Sequence, residues 1–396
     1  MKILHLIHSA NPVAGGPIEG IKQLVTAAAN KPFEVELVCL DPPDAPWLAT
    51  FPVKVHALGP CYSSYAYCPR LVPWLREHAR EYVFVIVNGL WQYTSFAAWR
   101  VLSRLGVPYF VFPHGMLDPW FKYHYPLKHL KKWLYWPWAD YRVLRDATAV
   151  LFTCKEEEAQ ARHSFWLYRC NAIVVNYGTA GWQGDALVQR ELFLQTFPEL
   201  AGKRLILFLG RVHEKKGGDL LVNAFHRLLK EMPSPSLQLV MAGPDDGPYA
   251  LQLKKMARSL GIGDRITWTG MVQGDLKWGA FQAAEVFILP SHQENFGISV
   301  AEALSASVPV LISNKVNIWR EIEEENAGLI EADDADGTHA LLRRWMALGA
   351  AEKEAMRADA RRCFLDHFEV HQALHTLLEA YDTAIFAQTG VHLQLH

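Results

Sequence analysis

Two doubly wound α/β domains in tandem are predicted by the sequence, and three observations carry the prediction. Short apolar runs alternate with helical stretches, the pattern of parallel strands with helices on both faces. The alternation breaks once, over 176–203, where three glycines fall within nine residues and no strand-like run occurs, and then it resumes. At 396 residues the chain has room for two or three domains with sizeable cores.

The first strand is Lys2–Ile7; the apolar run there is interrupted by His5 and His8 and is too short and too polar for a signal peptide. Pro17–Ala29 follows as a helix with Pro in its first turn. Phe33–Leu40, Val53–Leu58, Tyr82–Val87, Tyr109–Phe112, Ala149–Phe152 and Ala172–Val175 are further strands, with helices at Arg70–Arg80 and Ser95–Leu105. After the break, Arg204–Gly210 is a strand and Leu220–Lys230 a helix ended at Met232-Pro233. Leu237–Ala242 is a strand, and Tyr249–Leu260 a helix stopped by Gly261. Ile266–Thr269, Val286–Leu289, Pro309–Ile312 and Gly328–Ile330 complete the second set of strands, and Ala332–Gln388 is largely helical. The expected division is a first domain over 1–180, a linker over 181–203, a second domain over 204–375, and a C-terminal helix over 376–396 that returns to the first domain.

Composition narrows the function. Hydrophobic residues make up 51% and charged residues 20%, which excludes a disordered chain, a collagen-like chain and a coiled coil. Lys+Arg number 39 against 41 Asp+Glu, too balanced for a protein that coats nucleic-acid phosphates. The six cysteines include no Cys-x-x-Cys and no zinc-finger spacing; Cys61 and Cys68, beside Pro60 and Pro69, are expected as reduced thiols. No run of 18 apolar residues occurs, so no transmembrane helix is expected and a cytoplasmic chain, peripheral at most on the inner membrane face, is.

Ligands of doubly wound sheets sit outside the carboxyl ends of the strands, which in a two-domain chain points to the cleft between domains. Three motifs fall at strand ends. Gly15-Gly16-Pro17 follows the first strand; glycines and a helix N-terminus suit an anion, and a tight turn into a Pro-capped helix is the bland alternative. Gly210-Arg211-Val212-His213-Glu214-Lys215-Lys216-Gly217-Gly218 places Arg211 and Lys216 beside a helix start, an arrangement suited to a diphosphate, though a solvated charged loop also accounts for it. Its residue order is not that of a Walker P-loop. In Pro290–Leu304, Glu294 lies after a strand and Glu302 on the next helix among Ala301, Ala303 and Leu304. A carboxylate there requires a partner; a vicinal diol is suitable, and a satisfied buried Glu is the alternative.

With these residues the chain resembles the retaining glycosyltransferases of family 4, which have the GT-B arrangement of two Rossmann-like domains. The resemblance rests on Glu294-x7-Glu302, the Gly210-Arg211…Lys216-Gly217 loop, the Gly15-Gly16 turn and His114 in Phe112-Pro113-His114-Gly115-Met116-Leu117-Asp118, and it spans nearly the whole chain. It implies a nucleotide-sugar-binding second domain and an acceptor-side first domain. Arg211 and Lys216 would hold the donor diphosphate, Glu302 the ribose hydroxyls, and Gly15 and Gly16 would approach the diphosphate. Glu294 would lie near the donor sugar, with the backbone N–H groups of Asn295, Phe296 and Gly297 contacting it, and His114 would touch the sugar near the reacting carbon. The resemblance further implies front-face attack with retention and no metal. Asp334-Ala335-Asp336, the one Asp-x-Asp, reads as a helix-terminus charge cluster. Two departures bear on the pockets: Val175-Asn176-Tyr177-Gly178 stands where Pro-Asn-Gly is usual, and Gly243 is followed by Pro244-Asp245-Asp246 where a second glycine is common.

The donor is expected to be a nucleotide sugar of the UDP-glucose type. The acceptor is a lipid-linked intermediate, as in exopolysaccharide assembly, or a soluble sugar phosphate, as in sucrose-phosphate synthases, where it is fructose 6-phosphate. Residues 119–142 hold nine aromatics among 24, interleaved with Lys122, Lys128, Lys131, Lys132 and Arg142. Docking on a membrane surface, recognition of the acceptor, and a helix packing its rings on its own domain are three readings of that stretch. Pro126 and Pro137 argue against one long helix. A nucleotide-sugar epimerase fits the Glu-x7-Glu block poorly, and a non-catalytic carbohydrate-binding relative would not need all of Arg211, Lys216, Glu294, Glu302 and His114.

Overall fold

A computed structural model describes residues 1–12, 16–175 and 177–393. The chain divides into two compact units, Met1–Gly178 with Val370–His396, and Thr179–Glu369.

In the first unit, strands β1 (Lys2–Leu6), β2 (Glu34–Cys39), β3 (Lys54–Ala57), β4 (Phe84–Asn88), β5 (Tyr109–Phe112), β6 (Ala149–Phe152) and β7 (Ala172–Val174) alternate with helices. The helices are α1 (Gly16–Ala27), α2 (Leu71–His78), α3 (Tyr93–Leu105), α4 (Trp120–His124), α5 (Pro126–Tyr135), α6 (Asp140–Arg145) and α7 (Lys155–Ala161). All strands are parallel, in the order β3-β2-β1-β4-β5-β6-β7. Successive residues feed opposite faces: Leu4, Leu6, Val38 and Leu40 enter one core, and Ile7, Leu37 and Cys39 enter the other with Ile18, Ile21 and Val25 of α1. Burial on both faces makes these strands read as continuous apolar runs.

The second unit carries α8 (Ala186–Thr196), β8 (Arg204–Leu209), α9 (Gly218–Glu231), β9 (Leu237–Ala242), α10 (Pro248–Ser259), β10 (Ile266–Gly270), α11 (Gly274–Ala283), β11 (Val286–Leu289) and α12 (Ile298–Ser305). It continues with β12 (Val310–Ser313), α13 (Trp319–Glu324), β13 (Gly328–Glu331), α14 (Ala335–Ala347) and α15 (Ala350–Cys363). Its parallel sheet runs β10-β9-β8-β11-β12-β13. In both sheets the order reverses beside the first strand, between β1 and β4 and between β8 and β11, the switch points at which such sheets open a crevice.

Every strand expected from the sequence is present, within a few residues at the ends. The stretch 181–203 is not a bare linker. It contains α8, whose backbone lies so close to α11 that a Cβ at Gly279 would fall 2.1 Å from the Gln189 carbonyl oxygen. Asp185 caps α8 by accepting from the N–H groups of Leu187 and Val188, a start signal the glycines obscured. The last helix, α16 (Val370–Thr389), begins six residues before the expected 376 and belongs to the first unit. Tyr381 is buried there between Phe84 and Phe110, each ring centroid 4.7 Å away. Over 119–142 the chain breaks at both prolines, as α4, α5, a short turn at Trp136–Trp138, and α6. All six cysteines are free thiols. Among the described residues no helix is long and apolar enough to cross a membrane.

Candidate functional site

In the second unit the predicted residues gather at the carboxyl ends of β8 and β11, on the two sides of the switch point. The Gly210–Gly217 loop leaves β8 with Gly210 at φ 153° and enters α9 through Gly217 at φ 66°. Gly217 and Gly243 are forced by backbone neighbours, whereas a Cβ at Gly210 would meet open space. A Cβ at Gly217 would lie 2.1 Å from the Pro290 carbonyl oxygen, and one at Gly243, after β9, 2.0 Å from that of Gly210. The close approach seats the loop against the segment after β11, where the His292 N–H donates to the Lys215 carbonyl at 2.8 Å.

This packing joins the two motifs. The Lys216 ammonium and the Glu294 carboxylate form an ion pair, with side chains 20% and 22% exposed. Glu294 is held by its backbone: its N–H donates to the Lys315 carbonyl (2.9 Å) and its carbonyl accepts from the Asn317 N–H (3.0 Å). His292 Nδ1 lies 3.0 Å from Asp333. Arg211 is exposed and makes no ion pair among the described residues. His213, the cap of the turn at Glu214–Lys216, is held below the usual imidazole range by burial and then by Arg211, with Glu214 opposing and Lys215 and Lys216 adding to it. Arg211 and Lys216 thus both act on His213.

Phe296 is buried with its ring edge-on to Phe368 at 5.7 Å, so the side chain of the Asn295-Phe296-Gly297 segment points into the unit. Gly297, at φ 74°, starts α12. Glu302 on that helix is 7% exposed, and its Oε1 accepts from Lys277 Nζ of α11 at 2.8 Å. The partner that a carboxylate among alanines requires is thus supplied by the chain itself, and burial of Glu302 does not by itself call for a diol. Lys277 was missed because 25 residues separate it from Glu302. Asp334 and Asp336 lie at the start of α14, where Asp334 accepts from the Gly337 N–H (2.7 Å) and Asp336 pairs with Arg227 (2.8 Å).

In the first unit, Gly15 lies outside the described residues and Gly16 is the first residue of α1. His114 follows β5 with φ 50°, and Gly115 follows at φ 72°. Two consecutive left-handed residues need support, and buried Glu157 gives it: Oε1 accepts from the Gly115 N–H (2.6 Å), Oε2 from the N–H and hydroxyl of Thr153 (2.8 Å each).

His114 Nε2 lies 3.2 Å from Oδ1 of Asn88, at the end of β4. The Asn88 amide nitrogen faces the carbonyls of Ile86 (3.2 Å) and Leu6 (3.4 Å) and Nδ1 of His5 (3.3 Å). Carbonyl oxygens accept only, so that end of the amide is the donor and Oδ1 faces His114. His114 therefore carries its hydrogen on Nε2, leaving Nδ1 as an acceptor. Burial, and then His5, push the His114 imidazole down to about 3; burial alone lowers His5 to about 4. Both are neutral near pH 7. The ring stacks on Phe112 (5.3 Å) and meets the edge of Tyr177 (6.0 Å), the residue that departs from the family pattern. Tyr177 also fixes Gly20, where a Cβ would sit 1.4 Å from its hydroxyl oxygen. Asn88 was legible as a polar residue closing an apolar strand, a signal the sequence reading did not use.

Comparison with known proteins agrees with this geometry. The family model described as "Glycosyl transferase 4-like domain" matches residues 15–178, and that of "Glycosyl transferases group 1" matches 190–362. The chain is similar to mannosylfructose-phosphate synthase of Agrobacterium fabrum, 24% identical over 289 residues that cover 65% of this chain and 59% of that protein. Its fold is similar to that of sucrose-phosphate synthase from Thermosynechococcus elongatus (TM-score 0.76, 20% identity, 98% of this chain and 100% of that one). It is likewise similar to Anabaena HepE, solved in complex with UDP-glucose (TM-score 0.76, 15% identity, 97% and 100%). With glycosyltransferase models matching both units and both sheets wound about a switch point, the chain belongs to glycosyltransferase family 4 and has the GT-B fold.

Proposed function

We propose that this glycosyltransferase moves a hexosyl group from a uridine diphosphate sugar to a sugar acceptor, with retention of anomeric configuration and without a metal ion. The observation that carries the reading is the junction at the second switch point, where Lys216 and Glu294 pair beside the exposed Arg211. Arg211 and Lys216 take the two negative phosphates of the leaving group, and their charge stabilises the diphosphate as it departs. Glu302 receives the ribose hydroxyls, Glu294 and the Asn295–Gly297 backbone orient the sugar, and Gly15 and Gly16 approach the diphosphate. His114 presents a neutral Nδ1 acceptor to a sugar hydroxyl. In the transfer step the acceptor oxygen bonds to the anomeric carbon on the face that the diphosphate leaves. The carbon–oxygen bond to the diphosphate breaks with its electron pair, and the acceptor proton passes to the departing phosphate oxygen. UDP-glucose in the HepE structure supports the donor class, and the names of the two phosphate-sugar synthases support a phosphorylated acceptor. A lipid-linked acceptor is the second reading, favoured by the exposed apolar face of α5.

The test is release of UDP from a panel of nucleotide sugars in EDTA, with and without fructose 6-phosphate. Release stimulated by that sugar phosphate supports the soluble acceptor. Donor binding without stimulation supports the lipid-linked one. Failure to bind any nucleotide sugar refutes the donor assignment, and activity abolished by EDTA and restored by a divalent cation refutes the metal-free step.

A further inference from the structure

The residues of α5 are turned the wrong way for a helix that serves only its own domain. Leu127, Leu130 and Leu134, spaced three and four apart, form one stripe, and they are 83%, 56% and 62% exposed. The opposite side turns Lys132 inward, its ammonium 4.4 Å from the Trp91 ring centroid and 5.5 Å from that of Phe121, and sets the Tyr135 ring against Tyr65. Burial lowers the Lys132 ammonium to about 8. Among the described residues of α5 none is fully buried. An amphipathic helix normally covers its leucines with the core; here the leucines face outward and Lys132 turns in.

The stripe is extended by aromatic rings. Trp133 sits 6.2 Å from Trp166, and Trp138 and Trp166 are about two-thirds exposed, at 69% and 65%. Pro126, Leu130, Trp133 and Trp166 line one shallow groove. The charge is one-sided. Lys122, Lys128 and Lys131 are exposed around the stripe, and no Asp or Glu occurs between Asp118 and Asp140, although the chain as a whole holds 41 acidic against 39 basic residues.

We propose that this face, α5 with Trp138 and Trp166, docks on an anionic lipid bilayer. Leucines enter the acyl boundary, indole rings sit at the headgroup level, and the lysines meet lipid phosphates, with the helix lying in the membrane plane. A second copy of the same face is a poorer occupant, because a two-fold contact would set its lysines against each other with no carboxylate between. The inference uses the first unit alone and stands whether or not the donor and acceptor assigned above are right.

The test is co-sedimentation of the full chain with vesicles of phosphatidylglycerol in phosphatidylcholine and with phosphatidylcholine alone. Binding to the anionic vesicles is expected, weakening with salt. The paired change Leu130→Ser, Leu134→Ser should lower the partition roughly tenfold per leucine. Lys128→Gln and Lys131→Gln should each lower it about fivefold. Because these side chains are exposed, thermal unfolding and UDP binding should be unchanged in the variants, which separates lost docking from lost folding or lost donor recognition. Wild-type protein that stays in the supernatant, or a leucine variant that partitions like wild type, would overturn the proposal. So would a concentration-dependent dimer abolished by the leucine changes with no vesicle binding, or equal binding to neutral and anionic vesicles.

Discussion

Lys277→Met separates the structural from the binding role of Glu302. The 2.8 Å bond from Lys277 reaches a carboxylate only 7% exposed, while the Lys277 side chain is 24% exposed. Breaking a fully buried pair from one side costs about 3–5 kcal/mol, because the remaining charge stays desolvated. Water already reaches Lys277, so a loss of about 2–3 kcal/mol is expected here. Pairing the change with Glu302→Gln removes both charges and should recover stability to within about 1 kcal/mol of wild type. UDP affinity should behave differently. If Glu302 accepts from the ribose hydroxyls, the double variant loses those charge-assisted bonds and binds UDP roughly ten- to a hundredfold more weakly, although it is stable. Urea unfolding and calorimetric titration with UDP measure the two quantities on the same four proteins of the cycle. A double variant that is stable and binds UDP like wild type would remove Glu302 from the ribose. A Lys277→Met protein as stable as wild type would show that the pair carries no structural weight.

Three further outcomes are expected. Asn88→Ala frees the His114 tautomer and should lower kcat about ten- to a hundredfold with UDP affinity unchanged, and Asn88→Asp should move the acid limb of the rate profile upward by favouring imidazolium; steady-state kinetics against pH checks both, and an unaltered profile in Asn88→Asp would refute the role given to the Asn88–His114 bond. His5, neutral in the folded chain down to about 4 against 6.5 when unfolded, makes the unfolded state the proton binder between those values, so stability should fall as pH falls through that window, on the order of 3 kcal/mol in all for this residue; urea midpoints against pH test it, and His5→Asn should flatten the slope. Gly217→Ala puts a Cβ at φ 66° and 2.1 Å from the Pro290 carbonyl oxygen, so the loop must shift; a loss of about 2 kcal/mol with weakened donor binding is expected, and unchanged UDP affinity would separate the loop from the diphosphate.

The central strands were legible because they are buried on both faces and must be apolar along their length, as in Leu205–Phe208 or Val286–Leu289, whereas edge strands such as β3 and β7 are only partly buried. The sequence by itself also marked the strand-end residues that become the site, since the glycines and charges at 210–218 and 290–302 interrupt apolar runs in ways a core would not tolerate. Helices were less legible where they are short or weakly amphipathic: α8 hides behind Gly178, Gly181 and Gly184, and α11 has small residues on the face pressed to it. What the tertiary structure alone decided is partnership. Lys277 with Glu302, Lys216 with Glu294, Asn88 with His114 and Glu157 with Gly115 join residues 25 to 78 positions apart. Which carboxylate meets which cation depends on strand order and loop packing, and no local pattern encodes either. The same holds for α5: its sequence shows a stripe of leucines and a set of lysines, but which side faces the protein was fixed by Trp91, Phe121 and Tyr65, which took Lys132 and Tyr135 and left the leucines outside.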